Sequence, residues 1–252
     1  DSFLMAWCRR TPLPEIRATS VVDATSTMLL DGIDARGFDV HLLASTYDLG
    51  LPSIWALAVN RDCHAVPATY SAAGASPVPD DAVRAALWEL AQLVARPLDW
   101  DVAAAGRLVD DPTLVDTIED HVHRYAMPEL RDRVTEVLGG PTTDLGDAFA
   151  GWPERLCRAA QGDVRGSLDY LTGLCQAAGL DEVLVVDQST TDHLDLGLRV
   201  ARVIVPGILP MCFGAPQQRL GGLARRERAL AARGPGAGST DPDPMFDPHP
   251  FP

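Results

Sequence analysis

The chain has 252 residues, 46% hydrophobic and 22% charged, an ordinary globular composition able to bury a sizeable core. Its formal net charge is −14 and no basic stripe is present, which argues against nucleic-acid and anionic-membrane binding, since both need clustered positive charge. No apolar run reaches the 18 residues of a membrane span, and no signal peptide is visible.

The first residues, "DSFLMAWCRRTPLP", lack an initiator Met and are apolar and aromatic at once, so an upstream part of the protein is expected to precede them. "SIWALAV" (Ser53–Val59) comes after Leu51-Pro52 and reads as a buried strand. Helical periodicity runs over Asp81–Ala95, Thr113–Leu138 with an interruption near Pro128, and Val164–Ala178. "PLDWDVAAAG" and "PTTDLGDAFAG" read as loops or loop–helix junctions. "EVLVVDQ" (Glu182–Gln188) and "RVARVIVPG" (Arg199–Gly207) read as further buried strands, the second stopped by Pro206-Gly207. Strands and helices alternate irregularly, which predicts an α+β domain with a mixed sheet and packed helices over 1–233. From Gly234 onward a Gly/Pro/Asp segment has no apolar periodicity, so 234–252 is expected to be an extended tail that adds no apolar face to the core.

Most chemical motifs are absent. Neither a G-x-x-x-x-G-K nor a G-x-G-x-x-G phosphate loop occurs, and there is no G-x-S-x-G elbow. His121 and His123 are two apart and would face different ways on a helix, a poor arrangement for co-ligands. The five cysteines (Cys8, Cys63, Cys157, Cys175 and Cys212) are odd in number and contain no C-x-x-C pair. They indicate neither a disulfide framework nor a zinc site, and they fit a reducing, cytoplasmic compartment. Cys212 has no cation beside it in sequence and reads as a buried structural thiol. The absence of lysine among the 21 cationic residues, with abundant Ala, Gly, Asp and Pro, reads as the codon bias of a GC-rich genome.

One helix carries a candidate site. "PDDAVRAALWELAQLVA" (Pro79–Ala95) begins with Asp80 as the expected N-cap, and Val83, Leu87, Leu90 and Val94 form a narrow apolar stripe for the core. Ala82, Ala85, Glu89 and Gln92 fall on the other side. Glu89 and Gln92, at i and i+3, project together from a surface smoothed by alanines. The bland reading is a helix with an undistinguished outer face. The functional one is a hard-oxygen pair suited to Mg²⁺ and phosphate, with Glu89 as the metal ligand.

Several stretches resemble the YcaO-domain family. Ala86-Leu-Trp-Glu89-Leu-Ala-Gln92 resembles its A-x-x-E-x-x-Q motif, and "RVARVIVPGILPMCFG" (Arg199–Gly214) resembles its V-I-V-P-G strand and turn. "DHVHRYAMPE" (Asp120–Glu129) is similar to the helical segment between them. The first residues resemble the stretch directly after the family's E-x-x-E-R motif, and "PHPFP" resembles the terminal P-x-P-x-P of the azoline-forming branch. Leu93-Val94-Ala95-Arg96 departs from the Ser-Arg that the family commonly places after the Gln. The resemblance implies the C-terminal portion of a YcaO domain, with Glu89 and Gln92 at ATP and Mg²⁺ and further ligands upstream. It implies a cyclodehydratase that phosphorylates a backbone amide oxygen of a ribosomal precursor peptide, so that a Cys, Ser or Thr side chain closes a thiazoline or oxazoline ring. It also implies a leader-peptide-binding partner protein or domain, with a homodimer left open. Pro248, Pro250 and Pro252 would make the tail stiff and extended, able to present the C-terminus at the active site. Two alternatives stay open: another YcaO backbone activation, to a thioamide or macroamidine, and an interaction protein whose Pro-rich tail is read by a Pro-recognising domain.

Overall fold

A computed structural model describes residues 1–96, 101–160, 162–214, 217–219, 224–232 and 247–252. In chain order its helices are α1 (Ser2–Arg9), α2 (Ala24–Asp34), α3 (Pro79–Ala95), α4 (Val102–Asp110), α5 (Ile118–Tyr125), α6 (Arg131–Thr135), α7 (Leu145–Ala148), α8 (Trp152–Ala160), α9 (Val164–Ala177), α10 (Thr191–Asp195) and α11 (Ala224–Ala232). The strands are β1 (Glu15–Ile16), β2 (Phe38–Ala44), β3 (Ser53–Asn60), β4 (Thr69–Ala75), β5 (Thr142–Thr143), β6 (Leu184–Asp187) and β7 (Ala201–Ile204). They form a mixed five-stranded sheet, β4-β3-β2-β1-β5, and a separate antiparallel ribbon of β6 and β7. This is the expected α+β class. No described helix is long and apolar enough to cross a membrane.

The sheet is covered on both faces, and the pleat of β3 shows how. Ile54, Ala56 and Ala58 point to one side and meet Ile33 of α2 and Ala82, Val83, Ala86, Leu87 and Leu90 of α3. Trp55, Leu57 and Val59 point to the other and meet Leu4, Met5 and Trp7 of α1, Tyr125 of α5 and Phe251. A strand buried on both faces must be apolar at every position, which is why "SIWALAV" does not alternate. The α3–β4 contact is closer than usual. A Cβ on Gly74 would stand 2.2 Å from the Ala82 carbonyl oxygen and 2.6 Å from the Ala86 amide nitrogen, so only glycine permits the helix to lie there.

Several expectations need correction. Asp80 is not the N-cap: the helix starts at Pro79, a residue favoured at N1, after Val78, and Asp80 and Asp81 lie in the first turn, where they complement the helix dipole. Ala82 is on the core face, against β4, and the apolar stripe is therefore wider than the one read from periodicity. The interruption expected near Pro128, by contrast, is present: the stretch divides there into α5, a 3-10 turn at Pro128–Leu130 and α6. The strands at 182–188 and 199–207 form but are not buried. They pair only with each other among the described residues, and Val185 and Val203 are 64% and 57% exposed. The larger correction concerns the end of the chain. Residues 233–246 lie outside the described ones, but Pro248, His249, Pro250 and Phe251 are buried, and Phe251 is only 1% exposed. The expectation that 234–252 adds no apolar face fails at its last residues.

Candidate functional site

The helix α3 places Glu89 and Gln92 beside the open edge of the sheet. The strand β4 pairs with β3 on one side only, so some of its amides have no ladder partner. Glu89 reaches one of them, its Oε2 accepting from the Ala73 N–H at 3.4 Å. Its side chain is half-buried and burial raises its pKa, against which the Ala73 amide pulls weakly. No cation pairs with it among the described residues. Gln92 is exposed one turn further on, as is Trp88 at 52%, so an indole as well as alanines flanks the pair.

Ala73 also lines a cleft of about 250 Å³ with Phe3, Leu51, Ser53, Gly74 and Ile208. Its walls are the start of α1, the β3–β4 edge and the turn after β7. Phe3 in turn packs on Phe251, their ring centroids 4.1 Å apart. The strap formed by residues 247–252 thus backs the cleft. Its prolines run to the same helix: Pro250 and Pro252 border a small depression with Ser71 of β4, Val122 of α5 and Leu93, the residue after Gln92. The folded chain therefore brings together two groups that periodicity and composition single out separately, α3 and the terminal prolines.

The strap is held by contacts that sequence reading does not reveal. Asp247 accepts from Arg10 Nη2 at 3.0 Å, Arg133 Nε at 2.7 Å and the Tyr125 hydroxyl at 2.7 Å, and the same hydroxyl reaches the Pro248 carbonyl. His249 stacks on His121, ring centroids 4.2 Å apart. His121 Nδ1 donates to the His249 carbonyl at 2.7 Å, and His249 Nε2 donates to the Cys212 carbonyl at 3.1 Å. Both imidazoles are buried and desolvation holds them below the ordinary histidine pKa, His249 down to about 3 with His121 adding to the effect, and His121 against the opposing pull of the His249 carbonyl. His121 is thus part of the docking surface for the strap. In sequence the only signal was Asp247 heading the proline run. Arg10 and Arg133 look like any of the other arginines.

Does this site suit ATP and Mg²⁺? Glu89 does: a partly desolvated carboxylate without an ion-pair partner among the described residues is a ready hard-oxygen ligand. It cannot be the whole ligand set, because no described cluster of three or more His, Cys, Asp or Glu could hold a metal. Cys212 is half-buried, its Sγ directed at the Pro210 carbonyl at 3.7 Å, and all five cysteines are unpaired thiols.

The fold is similar to that of a heterocyclase in complex with substrate and cofactor, with a TM-score of 0.61 and 22% identity over 84% of this chain and 25% of that one. It is similar also to the heterocyclase TruD (0.55, 23% identity, 82% and 25% covered). YcaO from Methanopyrus kandleri, bound with AMPPCP and Mg²⁺, aligns with a TM-score of 0.52 at 20% identity over 96% of this chain and 53% of that one. The chain thus spans about a quarter of the two heterocyclases and about half of the Methanopyrus protein. No curated protein matches it. Residues 1–209, which include α3 with Glu89 and Gln92, match the family described as YcaO cyclodehydratase, ATP- and Mg²⁺-binding. The chain belongs to the YcaO cyclodehydratase family.

Proposed function

We propose that this chain is the C-terminal portion of an ATP-dependent cyclodehydratase that forms thiazoline or oxazoline rings from Cys, Ser or Thr of a ribosomal precursor peptide. The observation that carries the reading is the family match over α3 together with the uncompensated Glu89 carboxylate at the sheet edge. In the reaction a peptide thiol or hydroxyl attacks the preceding backbone carbonyl carbon, and the amide oxygen must leave. ATP held through Mg²⁺ supplies the phosphoryl group that makes this oxygen a competent leaving group. No covalent nucleophile is required of the protein.

The chain's own part is to hold and to orient. Glu89 contributes one oxygen ligand to Mg²⁺, and the Gln92 amide can contact a phosphate. The remaining ligands come from outside the described residues. The cleft between Phe3, Ser53, Ala73 and Ile208 accepts the peptide segment, and the strap closes its back, with Pro250 and Pro252 bringing a rigid wall to α3. A leader-binding partner protein or domain delivers the peptide. Burial of Pro248, His249, Pro250 and Phe251 favours this reading over a Pro-rich ligand for another domain, since a buried proline run is not available to be read. The P-x-P-x-P pattern of Pro248, Pro250 and Pro252 favours azoline formation over a thioamide or macroamidine product.

The test uses the full-length protein with its partner, ATP, Mg²⁺ and the genomically adjacent Cys/Ser/Thr-rich peptide. Each ring removes one water from the peptide mass and releases one phosphate. Glu89→Ala should abolish both signals. Wild-type turnover in that variant removes Glu89 from the site, and phosphate release without loss of water refutes the azoline assignment.

A further inference from the structure

The proposed chemistry makes no use of the charged cluster at the head of the strap. The side chains of Asp247 and Arg133 are only 15% and 13% exposed. One carboxylate there receives Arg10, Arg133 and the Tyr125 hydroxyl, while the Trp7 indole N–H donates to the Asp247 carbonyl at 3.2 Å. The Arg133 guanidinium lies 3.5 Å over the Trp7 ring and reaches Glu136 with a second nitrogen at 3.2 Å. Residues of α1 and its C-terminal end, α5 and α6 thus each send a polar group to a single residue.

Such a cluster is a poor choice for stability alone, because desolvating three charged groups offsets much of their attraction. Its distinctive property is direction. Phe251 sits among aromatic rings, a contact that tolerates sliding, whereas a carboxylate shared by two guanidiniums and a phenol has one position. The five residues after Asp247 include three prolines, each with φ fixed, so a displacement at the head is carried to the far end with little damping.

We infer that Asp247 is a positioning residue: its pairing with Arg10, Arg133 and Tyr125 sets the register in which Pro250 and Pro252 meet α3 beside Gln92 and Glu89. The inference rests on the proposed reading for its effect on catalysis, but not for the register itself.

The register can be measured without activity. Cys8 and Cys212 line a small cavity together with Asp247 and His249, under the strap, whereas Cys63 and Cys157 are exposed. In the full-length protein, Asp247→Asn and Asp247→Ala should raise alkylation of Cys8 and Cys212 by iodoacetamide roughly tenfold or more, as the strap opens more often. Cys63 and Cys157, mapped in the same digest, should not change. Asp247→Glu, which keeps the charge, should fall between these variants and wild type. In cyclisation assays Asp247→Asn should lower kcat and leave the KM for ATP unchanged, and Asp247→Glu should recover part of the loss. Unchanged Cys8 and Cys212 overturn the inference. So does a joint rise at all mapped cysteines, which would make Asp247 a general fold-holding residue, and so does wild-type kcat with an opened strap. If wild type fails to cyclise any peptide, the proposed function falls, while the thiol pattern still decides the register.

Discussion

The strap at 247–252 and the ribbon of β6 and β7 reverse what their compositions suggest. "DPHPFP" holds a carboxylate, an imidazole and three prolines, yet four of its six residues are buried. "LVVD" and "ARVI" are mostly aliphatic, yet every position is exposed. The difference lies in partners. Most polar groups of the strap have a counterpart: arginines and a phenol for Asp247, a ring nitrogen for the His249 carbonyl, and a backbone carbonyl for the His249 Nε2, while the His249 Nδ1 is buried with no hydrogen-bond partner among the described residues. The ribbon's strands pair with each other along one edge each, their exposed outer edges can be met by water, and no described element covers its faces. A polar segment can be buried when its hydrogen bonds are supplied, and an apolar one stays exposed when no surface meets it.

The sharpest challenge to this contrast is Phe251→Ala. The ring touches Phe3 and Trp55 inside the core, so its loss should cost about 3–5 kcal/mol in urea unfolding. A cost no greater than that of a surface substitution means that the strap does not dock in solution. Tyr125→Phe is a smaller perturbation of the same region. It keeps the ring and removes only the hydroxyl that serves Asp247 and Pro248, and it should cost roughly 1–3 kcal/mol, because buried acceptors are left unmet.

Glu89 lies between the two extremes, half-buried and without an ion partner among the described residues. Burial raises its folded pKa above the unfolded value, so its contribution to stability is fully present below the unfolded pKa and is lost as pH rises through the folded one. Glu89→Gln should accordingly be as stable as wild type or slightly more so at neutral pH, with no advantage in acid. Thermal melts across that range check it. A variant less stable at neutral pH would mean that the carboxylate is compensated in the folded protein. The smallest effects belong to the ribbon: Val185→Thr and Val203→Thr should each shift stability by no more than about 0.5 kcal/mol. A larger penalty in the full-length protein would show that another segment covers those faces there.

Legibility in the sequence divides along the same line. The strand β3 and helix α3 were legible because their own patterns specify them: an uninterrupted apolar run in one, apolar residues at helical spacing in the other. The strand β4, "TYSAAGA", was not legible. Its small residues have weak strand preference and are there because α3 lies almost on the backbone at Gly74. Glu89 and Gln92 stood out through their spacing, but their position at a sheet edge depends on that same close approach. The docking of the strap was beyond local reading altogether. Its partners, Trp7, Arg10, Tyr125 and Arg133, are 114 to 240 residues away, and nothing near Asp247 marks which arginines will meet it.

That separation bears on how the molecule is made. Phe3 and Trp7 leave the ribosome long before Phe251 and Asp247. At ordinary synthesis rates the interval between them is on the order of tens of seconds. During it the aromatic face of α1 and β3 stands open, with Trp55 and Tyr125 missing their last neighbour. The nascent chain therefore carries an open aromatic seam until the strap emerges, and docking of the strap closes it after the rest of that face has been made.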